Sequence, residues 1–352
     1  MNDNVQRNCS MKTALIFGAA GFVGRYLAEE LSSYGYRVVG SDVINPVIEH
    51  AEAGGCPEIG NAGVGGHSET RSIEIGDTRG AESGFSDFAV CDLLDAAGIL
   101  RVVEQYRPTA IINLAAVSSV GQTWKIPQKT MEVNVNGALN ILEAARSFAP
   151  EASILFVGSS EEYAVSEEPI SESTPLNANN PYGISKVAME QFSEIYRNRY
   201  GMKIHSVRSF NHTGVGQKPN FVIPSWCRQA AEITKSGRSG VMKVGNTSVI
   251  RDFGNVKDMA RAYRLVLESE DCSVIYNIGT GEGILLSDLL EYIVSLSPQE
   301  ITVEQDPELF RPSDNPVIVC DHSLITQRLG WMPEHSIYDT VKEMYEAFLR
   351  GN

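Results

Sequence analysis

Six short apolar runs alternate with helical patterns over the first 210 residues of the chain. The runs read TALIFG, RVVGSDV, FAVCDLL, TAIINLAA, SILFVGSS and KIHSVRSFN, and segments such as GRYLAEELSSYG and VNVNGALNILEAARSF separate them. Alternation of this kind is typical of right-handed βαβ units, which place parallel strands in one sheet with helices on both of its faces. The chain is therefore predicted to be an α/β protein with a doubly wound parallel sheet.

The second half of the chain has a less regular pattern. From about residue 211, loops, helices and short strands mix, and the proline-rich pieces ELFRPSDNPVIV and LGWMPEHS are typical of elements built around a ligand. We expect a nucleotide-binding sheet domain over residues 11–210. A smaller, mainly substrate-binding domain is expected over residues 211–352, with some of its segments returning to the first domain. The polar residues 1–10 are expected to form a flexible extension.

A glycine-rich stretch, residues 45–87, interrupts the alternation. It carries nine glycines and has eight acidic against two basic residues. A loop of this length in a compact domain is usually either functional or disordered, and this composition favours mobility. We predict a mobile surface insertion, with a lid as the alternative.

The charge and the cysteine pattern narrow the classes of partner. Twenty-nine basic and 44 acidic residues give a formal charge of −15, which disfavours binding to nucleic acid or to an anionic membrane. No apolar segment approaches the roughly 20 residues that span a bilayer, and MNDNVQRNCSMK lacks the apolar core of a signal peptide, so the expected location is the cytoplasm. Six widely spaced cysteines without a CxxC pair predict reduced thiols, with no metal site and no disulfide framework.

Three glycines follow the first apolar run and enter a helical pattern, in LIFGAAGFVGRYLAEEL. Glycines permit a tight turn and a close approach of the backbone to a pyrophosphate, and the helix N-terminus presents unpaired N–H groups to its charge. Asp42 ends the next run, where a carboxylate accepts hydrogen bonds from an adenosine ribose and repels a 2′-phosphate. We predict a dinucleotide cofactor, NAD(H) or NADP(H), with Asp42 favouring NAD(H). The residues of the turn expected to contact the cofactor are Gly18, Gly21, Phe22, Val23 and Gly24.

Two later strand ends are expected to contact the same cofactor. Asp92 ends the third run, where its carboxylate can meet the adenine amino group, and a helix cap for LLDAAGILRVV is the alternative for this residue. NLAA, at residues 113–116, supplies small side chains that let the backbone pass close to a cofactor. The residues assigned to this part of the site are Asp92, Leu93, Ala115 and Ala116.

A tyrosine and a lysine stand one turn apart on a predicted helix. Asn180 and Pro181 are a typical N-cap and first helical position, which puts Tyr182 and Lys186 on one helix face. A tyrosine with a pKa of about 10 is a poor proton shuttle at neutral pH unless a cation stabilises its phenolate. The lysine can do so, and it can also hold a nicotinamide ribose. Ser159 ends the fifth run, at the carboxyl edge of the sheet where doubly wound folds bind ligands.

These three side chains suit hydride transfer to a ketone. The cofactor carries the hydride, Tyr182 supplies the proton, and the Ser159 hydroxyl can hydrogen-bond the carbonyl oxygen. A capping serine and a solvated tyrosine are the alternative. A dinucleotide-sensing protein without turnover remains a hypothesis of a different class.

The motifs together resemble a known family. In order along the chain they are GAAGFVG, NLAA, a serine before YA, and YGISK, and they look like the extended short-chain dehydrogenase/reductase family, whose members act on nucleotide sugars. The resemblance covers nearly the whole chain from Met11 onward, apart from the glycine-rich insertion. It implies a Rossmann domain, a smaller C-terminal substrate domain, a catalytic triad and usually a homodimer built by helix packing. The implied triad is Ser159, Tyr182 and Lys186.

The second half narrows the resemblance through three motifs, RSFNHTGVGQKPNFVIP, KVGNTSVIRDFGNVKDMARAY and LFRPSDNP. They are similar to the branch that handles GDP-mannose derivatives, and most similar to its GDP-4-dehydro-6-deoxy-D-mannose reductases. A sugar diphosphate on so acidic a protein needs fixed cations. Arg251 and Arg311 suit that role because guanidinium binds phosphate oxygens in a bidentate fork, with surface ion pairs as the alternative. The other residues assigned to the substrate are Ser118, Ser159 and Asn211.

GSSEEYA, at residues 158–164, separates two reactions within that branch. Glu161 stands where the resemblance places the catalytic glutamate of a GDP-mannose 4,6-dehydratase, which needs a base at C5 and an acid at C6 to remove water. Three features favour the reductase: FNHTGVGQ has no basic pair, YGISK has no alanine, and RDF has no tryptophan. Glu161 is assigned to the catalytic site, and Glu162 is expected to point the other way as a solvated or structural charge.

The predicted reaction is therefore reduction of the C4 ketone of GDP-4-dehydro-6-deoxy-D-mannose to GDP-D-rhamnose by NADH or NADPH. The alternative is a GDP-mannose 4,6-dehydratase or another nucleotide-sugar epimerase or dehydratase.

Overall fold

The protein was analysed as a computed structural model, which describes residues 12–44, 75–76, 84–310 and 315–351. Most of the predicted insertion lies outside the described residues, and so does Arg311. None of the helices in the described part of the chain is long and apolar enough to cross a membrane.

An eight-stranded sheet forms the centre of the first part of the fold. In spatial order its strands are β11 (Ile275–Ile278), β7 (Lys203–Ser209), β6 (Ser153–Ser159), β5 (Ala110–Asn113), β1 (Thr13–Phe17), β2 (Arg37–Asp42), β4 (Asp87–Val90) and β3 (Ile75–Gly76). Neighbouring strands are parallel, except that β3 runs antiparallel to β4. The predicted α/β, Rossmann-like doubly wound parallel sheet is confirmed. Its strand order reverses between β1 and β5, where open α/β sheets bind ligands at the carboxyl ends.

Helices cover both faces of this sheet because its strands are apolar on both sides. Alternate residues of β1 enter separate cores: Ala14 and Ile16 face one helical layer, and Leu15 and Phe17 face the other. The first layer consists of α1 (Phe22–Ser33), α8 (Val256–Leu267) and α10 (Ser323–Leu329). The second consists of α2 (Ala96–Tyr106), α5 (Gly137–Phe148) and α6 (Pro181–Tyr200).

Three short helical elements precede α5. They are α3 (Val120–Thr123), α4 (Pro127–Met131) and a π-helical turn (Glu132–Asn136) that runs directly into α5. A π-helical turn inside a longer helix is rare and is often found at functional sites.

A second core lies in the C-terminal part of the chain. There β10 (Ile250–Asn255) pairs with three strands, β8 (Asn211–Thr213), β12 (Gly283–Leu285) and β14 (Val317–Ile318). A separate pair is formed by β9 (Gly240–Val244) and β13 (Ile301–Gln305). The helices α7 (Val222–Ser236), α9 (Leu286–Ser295) and α11 (Ile337–Arg350) pack on a shared apolar core that includes Trp226, Leu289 and Val341. In contrast, β11 and α8 belong to the larger sheet and its cover.

The predicted insertion, residues 45–87, is too long at its C-terminal end. Phe85 is buried and packs edge-on against Phe88, with ring centroids 5.9 Å apart, and Asp87 already begins β4. The backbone of β3, inside the same stretch, pairs with β4. The glycine-rich composition hid β3 and the first residue of β4, neither of which belongs to the predicted third run FAVCDLL.

Candidate active site

The first β-to-α turn has the shape that the glycine spacing predicts. Gly18 has a φ of +80°, and a Cβ there would lie 2.5 Å from the backbone nitrogen of Ala115. Gly24 lies so close to the preceding turn that a Cβ would overlap a backbone carbonyl. The N-cap of α1 is Gly21, which offers no side chain to the N–H groups of the first turn. The turn therefore leaves a helix N-terminus open to an anion.

Phe22 and Val23 form the first turn of α1, and their side chains serve packing. The Phe22 ring stacks on His212, with centroids 6.3 Å apart and planes 11° apart. Val23 packs against the core on the α1 face of the sheet. Their backbone N–H groups, rather than their side chains, are the atoms available to an anion at this turn.

Asp42 ends β2, as predicted, beside the glycine turn. Its Oδ2 accepts a hydrogen bond from Ala20 N at 3.0 Å, and its Oδ1 accepts one from Val43 N at 2.7 Å. Burial raises the pKa of the carboxyl, and the two N–H donors oppose that rise. The charge of Asp92 raises the same pKa and that of Lys218 lowers it. Sequence reasoning missed Lys218, which lies in the loop after β8 and acts on Asp42 through its charge.

Asp92 does not cap the following helix. Its Oδ1 accepts a hydrogen bond from Leu94 N at 2.9 Å. The N-cap of α2 is Asp95, whose Oδ1 accepts one from Gly98 N at 2.9 Å. The helix-cap interpretation of Asp92 is therefore wrong, and the Asp92 side chain lies with Asp42 at the end of the sheet.

The loop after β5 passes the glycine turn and is tied to α6. Its backbone is fixed at Ala115 N, which donates to Asn113 Oδ1 at 3.1 Å, and at Val117 N, which donates to Asn134 Oδ1 at 2.8 Å. Asn134 is buried in the π-helical turn and donates from Nδ2 to Ser185 Oγ at 2.9 Å. Sequence reasoning missed this link because nothing in the local sequence indicated the π-helical turn that carries Asn134.

The remaining predicted residues of this region differ in exposure. Leu93 is buried, and its carbonyl accepts a hydrogen bond from Asn140 Nδ2 at 2.7 Å. Ala116 is half-buried, and Ser118 is exposed in the loop. An exposed hydroxyl at this position is accessible to a ligand from solution.

The helix that carries Tyr182 and Lys186 begins as predicted. Asn180 is the N-cap of α6, its Oδ1 accepts a hydrogen bond from Gly183 N at 2.9 Å, and Pro181 is the first helical residue. The Lys186 Nζ atom lies 5.7 Å from the centroid of the Tyr182 ring. The two side chains therefore share one helix face.

Ser159 completes the cluster from the carboxyl end of β6. Its side chain lies near enough to the Tyr182 hydroxyl to lower the pKa of that group. Two residues earlier in β6, the Val157 carbonyl accepts a hydrogen bond from Lys186 Nζ at 2.8 Å. The structure thus brings the predicted serine, tyrosine and lysine together at one edge of the sheet.

Burial perturbs both ionisable groups on this helix face. It raises the pKa of Tyr182; the hydrogen bond with Ser159 opposes the rise, and the charges of Glu162 and Glu161 add to it. It lowers the pKa of Lys186 to about 8, against the opposing charge of Glu162. At neutral pH Tyr182 therefore keeps its proton and Lys186 keeps its charge.

Glu161 belongs to the same cluster. It lies in the short 3₁₀ turn Ser160–Glu162 that follows β6, and its Oε2 accepts a hydrogen bond from Asn180 Nδ2 at 2.8 Å. Its backbone N–H donates to Ser159 Oγ at 3.2 Å. A Cβ at Gly183 would overlap the Glu161 carbonyl, so the glycine lets α6 approach this turn.

Glu162 is buried rather than solvated. Its side chain is 0% exposed, and its Oε1 accepts a hydrogen bond from Ser159 N at 2.6 Å. Burial, above all, raises its pKa to about 8. The solvated interpretation of Glu162 is therefore wrong. The sequence feature that could have indicated this burial is Gly158, because a Cβ there would overlap the Glu162 carboxylate.

A buried ion pair lies behind Glu162. Arg208 of β7 binds Glu190 of α6 through two hydrogen bonds, Nε to Oε2 at 2.9 Å and Nη2 to Oε1 at 2.5 Å. Its Nη1 donates to the Tyr163 hydroxyl at 2.9 Å, which donates in turn to Asn277 Oδ1 at 2.7 Å. Sequence reasoning missed this cluster because its members come from separate elements.

Two residues predicted to bind substrate lie on adjoining strands of the C-terminal part. Asn211 begins β8 and pairs with Phe253 of β10. Arg251 of β10 is buried, with Nη1 donating to Ile250 O at 2.8 Å and lying 3.5 Å from Pro316 O. Arg251 is therefore a buried side chain rather than a surface one.

Comparison with known proteins indicates the same class of enzyme as the geometry of the site. The GDP-mannose 4,6 dehydratase family model matches residues 66–344. The chain belongs to this family. The predicted relationship to nucleotide-sugar enzymes of the extended short-chain dehydrogenase/reductase type is confirmed.

Two relatives of this family member carry different activities in their names. It is 30% identical over 238 residues to the GDP-6-deoxy-D-mannose reductase of Pseudomonas aeruginosa. That alignment covers 67% of this chain and 78% of the reductase. It is also 30% identical, over 345 residues, to GDP-mannose 4,6 dehydratase 2 of Arabidopsis thaliana. That alignment covers 96% of this chain and 87% of the dehydratase. Overall identity therefore does not separate a reductase from a dehydratase.

The fold of this family member is also that of a solved epimerase. The UDP-glucose 4-epimerase of Thermus thermophilus, in complex with NAD, superposes with a TM-score of 0.75 at 26% identity. The alignment covers 96% of this chain and 99% of that chain. The arrangement of sheet and C-terminal part is thus shared over almost the full length.

Proposed function

We propose that this chain is an NAD(P)-dependent reductase that converts the C4 ketone of GDP-4-dehydro-6-deoxy-D-mannose to the alcohol of GDP-D-rhamnose. The observation that carries the choice of reaction is the contact of Glu161 Oε2 with Asn180 Nδ2 at 2.8 Å. The amide donor occupies one of the two carboxylate oxygens that a dehydratase would use to remove the C5 proton and to protonate the departing C6 hydroxyl. Reduction of a ketone needs only the serine, tyrosine and lysine.

The glycine turn fits a nicotinamide dinucleotide. The open N-terminus of α1 and the close approach at Gly18 and Gly24 would hold the pyrophosphate. Asp42 would accept hydrogen bonds from the adenosine ribose, and Lys186 would hold the nicotinamide ribose. When bound, the cofactor supplies the hydride that reduces the ketone. The NAD complex of the Thermus thermophilus relative supports this assignment.

The side chains of this chain supply the rest of the chemistry. Ser159 hydrogen-bonds the C4 oxygen and orients the ketone. As the carbonyl carbon is reduced, the C4 oxygen gains negative charge and takes the proton of the Tyr182 hydroxyl, which gives the alcohol and a phenolate. Lys186 stabilises that phenolate until solvent restores its proton, which limits the favourable range to pH values below the Lys186 pKa of about 8.

Substrate contacts outside the catalytic cluster remain predictions. Arg251 and Arg311 would bind the diphosphate, and Ser118 and Asn211 would add neutral hydrogen-bonding groups. The homodimer implied by the family resemblance also stays a prediction.

A GDP-mannose 4,6-dehydratase is the second candidate function, and one observation favours it. Glu161 lies in the same cluster as Ser159 and Tyr182, with its backbone N–H on Ser159 Oγ at 3.2 Å, so a carboxyl group is available beside the proton donor. Elimination across C5 and C6 requires such a group.

Glu161→Gln separates these two functions. Glutamine keeps an oxygen that can accept from Asn180, so we expect kcat for reduction of the keto sugar to fall by less than about tenfold. In a dehydratase, loss of the acid–base group would lower turnover of GDP-mannose by about 10²–10⁴-fold. The measurement is cofactor oxidation with the keto sugar and product analysis with GDP-mannose. Glu167→Gln, an exposed carboxyl nearby in sequence, is the control. A loss of ketone reduction above hundredfold in Glu161→Gln alone would contradict the assignment of the reduction to the serine, tyrosine and lysine without the glutamate.

Asp42→Asn tests the cofactor preference. The substitution removes the negative charge that repels a 2′-phosphate and keeps one acceptor oxygen for the neighbouring N–H groups. We expect the ratio of kcat/KM for NADH to that for NADPH to fall about tenfold, equivalent to about 1.4 kcal/mol. Asp288→Asn, at an exposed position of α9, should leave the ratio unchanged. An unchanged ratio in Asp42→Asn would show that this carboxylate does not set the preference.

A further inference from the structure

Asn180, the N-cap of the helix that carries Tyr182, uses every polar group of its side-chain amide. It is 3% exposed. Its Oδ1 accepts a hydrogen bond from Gly183 N at 2.9 Å, and its Nδ2 donates to Glu161 Oε2 at 2.8 Å and to Asn179 Oδ1 at 3.2 Å. Because a backbone N–H can only donate, the amide oxygen must face Gly183 and the NH₂ group must face Glu161. The side chain is therefore fixed as a donor to that carboxylate.

The turn that carries Glu161 is held against α6 independently of this donor. Asn177 N donates to Glu162 O at 3.0 Å, and the missing Cβ of Gly183 lets the helix pack on the Glu161 carbonyl. The Glu161 side chain is half-buried, so it keeps some access to the site. Loss of the Asn180 donor would therefore release the carboxylate without displacing the turn.

A released carboxylate at this place has a second reaction available to it in the proposed substrate. The C4 ketone makes the hydrogen on C5 acidic, because removal of that proton gives an enolate with its charge on the C4 oxygen. The hydroxyls of Ser159 and Tyr182 would stabilise that oxygen, as proposed for reduction. Glu161 would take the C5 proton, the electron pair of the C–H bond would form the C4–C5 double bond, and a proton from solvent would return to C5 and restore the ketone.

We propose that Asn180 is a positioning residue that sets the reaction specificity of this site. It holds Glu161 Oε2 against the start of α6, and that hydrogen bond must break before the oxygen can take the C5 proton. A hydrogen bond to an ionised acceptor is about twice as strong as a neutral one. The ketone is therefore reduced before its C5 position exchanges. The inference rests on the proposed function, because the ketone concerned is the proposed substrate.

Asn180→Ser tests this role through isotope exchange. Serine is a preferred N-cap and can still accept from Gly183 N, but it removes the donor to Glu161. The protein is incubated in D₂O with the keto sugar and oxidised cofactor, which carries no hydride, and deuterium at C5 is measured by mass spectrometry and NMR. We expect C5 exchange about 10–100-fold faster than in the wild type, the factor equivalent to one hydrogen bond to a charged group.

Two further variants are the controls. Asn179→Ala changes the neighbouring exposed asparagine and leaves the contact between Asn180 and Glu161 in place, so its exchange should equal that of the wild type. Asn180→Ser combined with Glu161→Gln should return to the wild-type rate because the base is absent. A purely structural role of Asn180 would lower ketone reduction in Asn180→Ser without raising exchange.

Exchange in folded Asn180→Ser that is no faster than in the wild type would overturn the proposal. So would fast exchange that persists after Glu161→Gln is added. If the serine variant does not fold, Asn180→Asp keeps the size and the capping oxygen of asparagine without the donor. Exchange at the wild-type rate in that variant would then overturn the proposal instead.

The exchange assay contains no reductant, so it is read separately from ketone reduction. Failure of the wild-type protein to oxidise NADH or NADPH with the keto sugar would count against the proposed function. Normal reduction by the wild type together with no added exchange in Asn180→Ser would count against the role of Asn180.

Discussion

Tyr182→Phe is expected to lower kcat for ketone reduction by about 10²–10⁴-fold, the usual cost of removing a general acid. Phenylalanine keeps the ring, and Lys186 already donates to Val157 O, so the cofactor site should stay intact. We expect NADH binding, followed by fluorescence titration, to change less than about threefold, because the phenolic hydroxyl contributes to proton transfer more than to affinity.

Tyr200→Phe is the matched control for this prediction. Tyr200 is the last residue of α6 and is 50% exposed, so removing its hydroxyl should leave turnover unchanged. A loss of less than tenfold in Tyr182→Phe would show that another group supplies the proton. Unchanged cellular function of a turnover-deficient Tyr182→Phe would favour dinucleotide sensing over catalysis.

Arg208→Met is expected to destabilise the fold by about 3–5 kcal/mol, the cost of removing one partner from a buried ion pair. The Arg208 side chain is 6% exposed and makes two hydrogen bonds to Glu190 and one to Tyr163. Methionine fills similar volume but leaves Glu190 buried without the cation that it pairs with. The measurement is the midpoint of urea unfolding, compared at equal denaturant dependence.

The control for Arg208→Met is an exposed ion pair on α7. Arg228 and Glu232 lie 3.4 Å apart with side chains 45% and 60% exposed, so Arg228→Met should cost less than about 1 kcal/mol. Equal effects of the two substitutions would mean that the Arg208 pair is not a significant source of stability.

Local patterns predicted the sheet and the two catalytic elements because the information lies within short segments. The strand ends at Asp42 and Ser159 and the Asn180–Pro181 start of α6 follow from neighbouring residues alone. The helix start at Asp95 was harder to predict, since two aspartates three residues apart have the same preference for an N-cap. Only the fold shows which of them binds an N–H group in the first turn of α2.

Contacts between distant segments explain what the sequence could not show. Whether Glu162 is solvated depends on Arg208 of β7 and on Glu190 of α6, which the sheet order brings behind it. Lys218, in the loop after β8, lowers the pKa of Asp42 through its charge. A single sequence lists these residues but does not show that they lie close together. The charged groups Arg208, Glu190 and Lys218 were therefore missed.

The most direct test of the proposed function is incubation of the purified protein with GDP-4-dehydro-6-deoxy-D-mannose and each reduced cofactor, followed by NMR of the product. The reductase account predicts oxidation of NADH or NADPH with an equal amount of GDP-D-rhamnose formed. Oxidation of neither cofactor would contradict it, and so would loss of water from GDP-mannose with the cofactor recycled, which would establish a dehydratase.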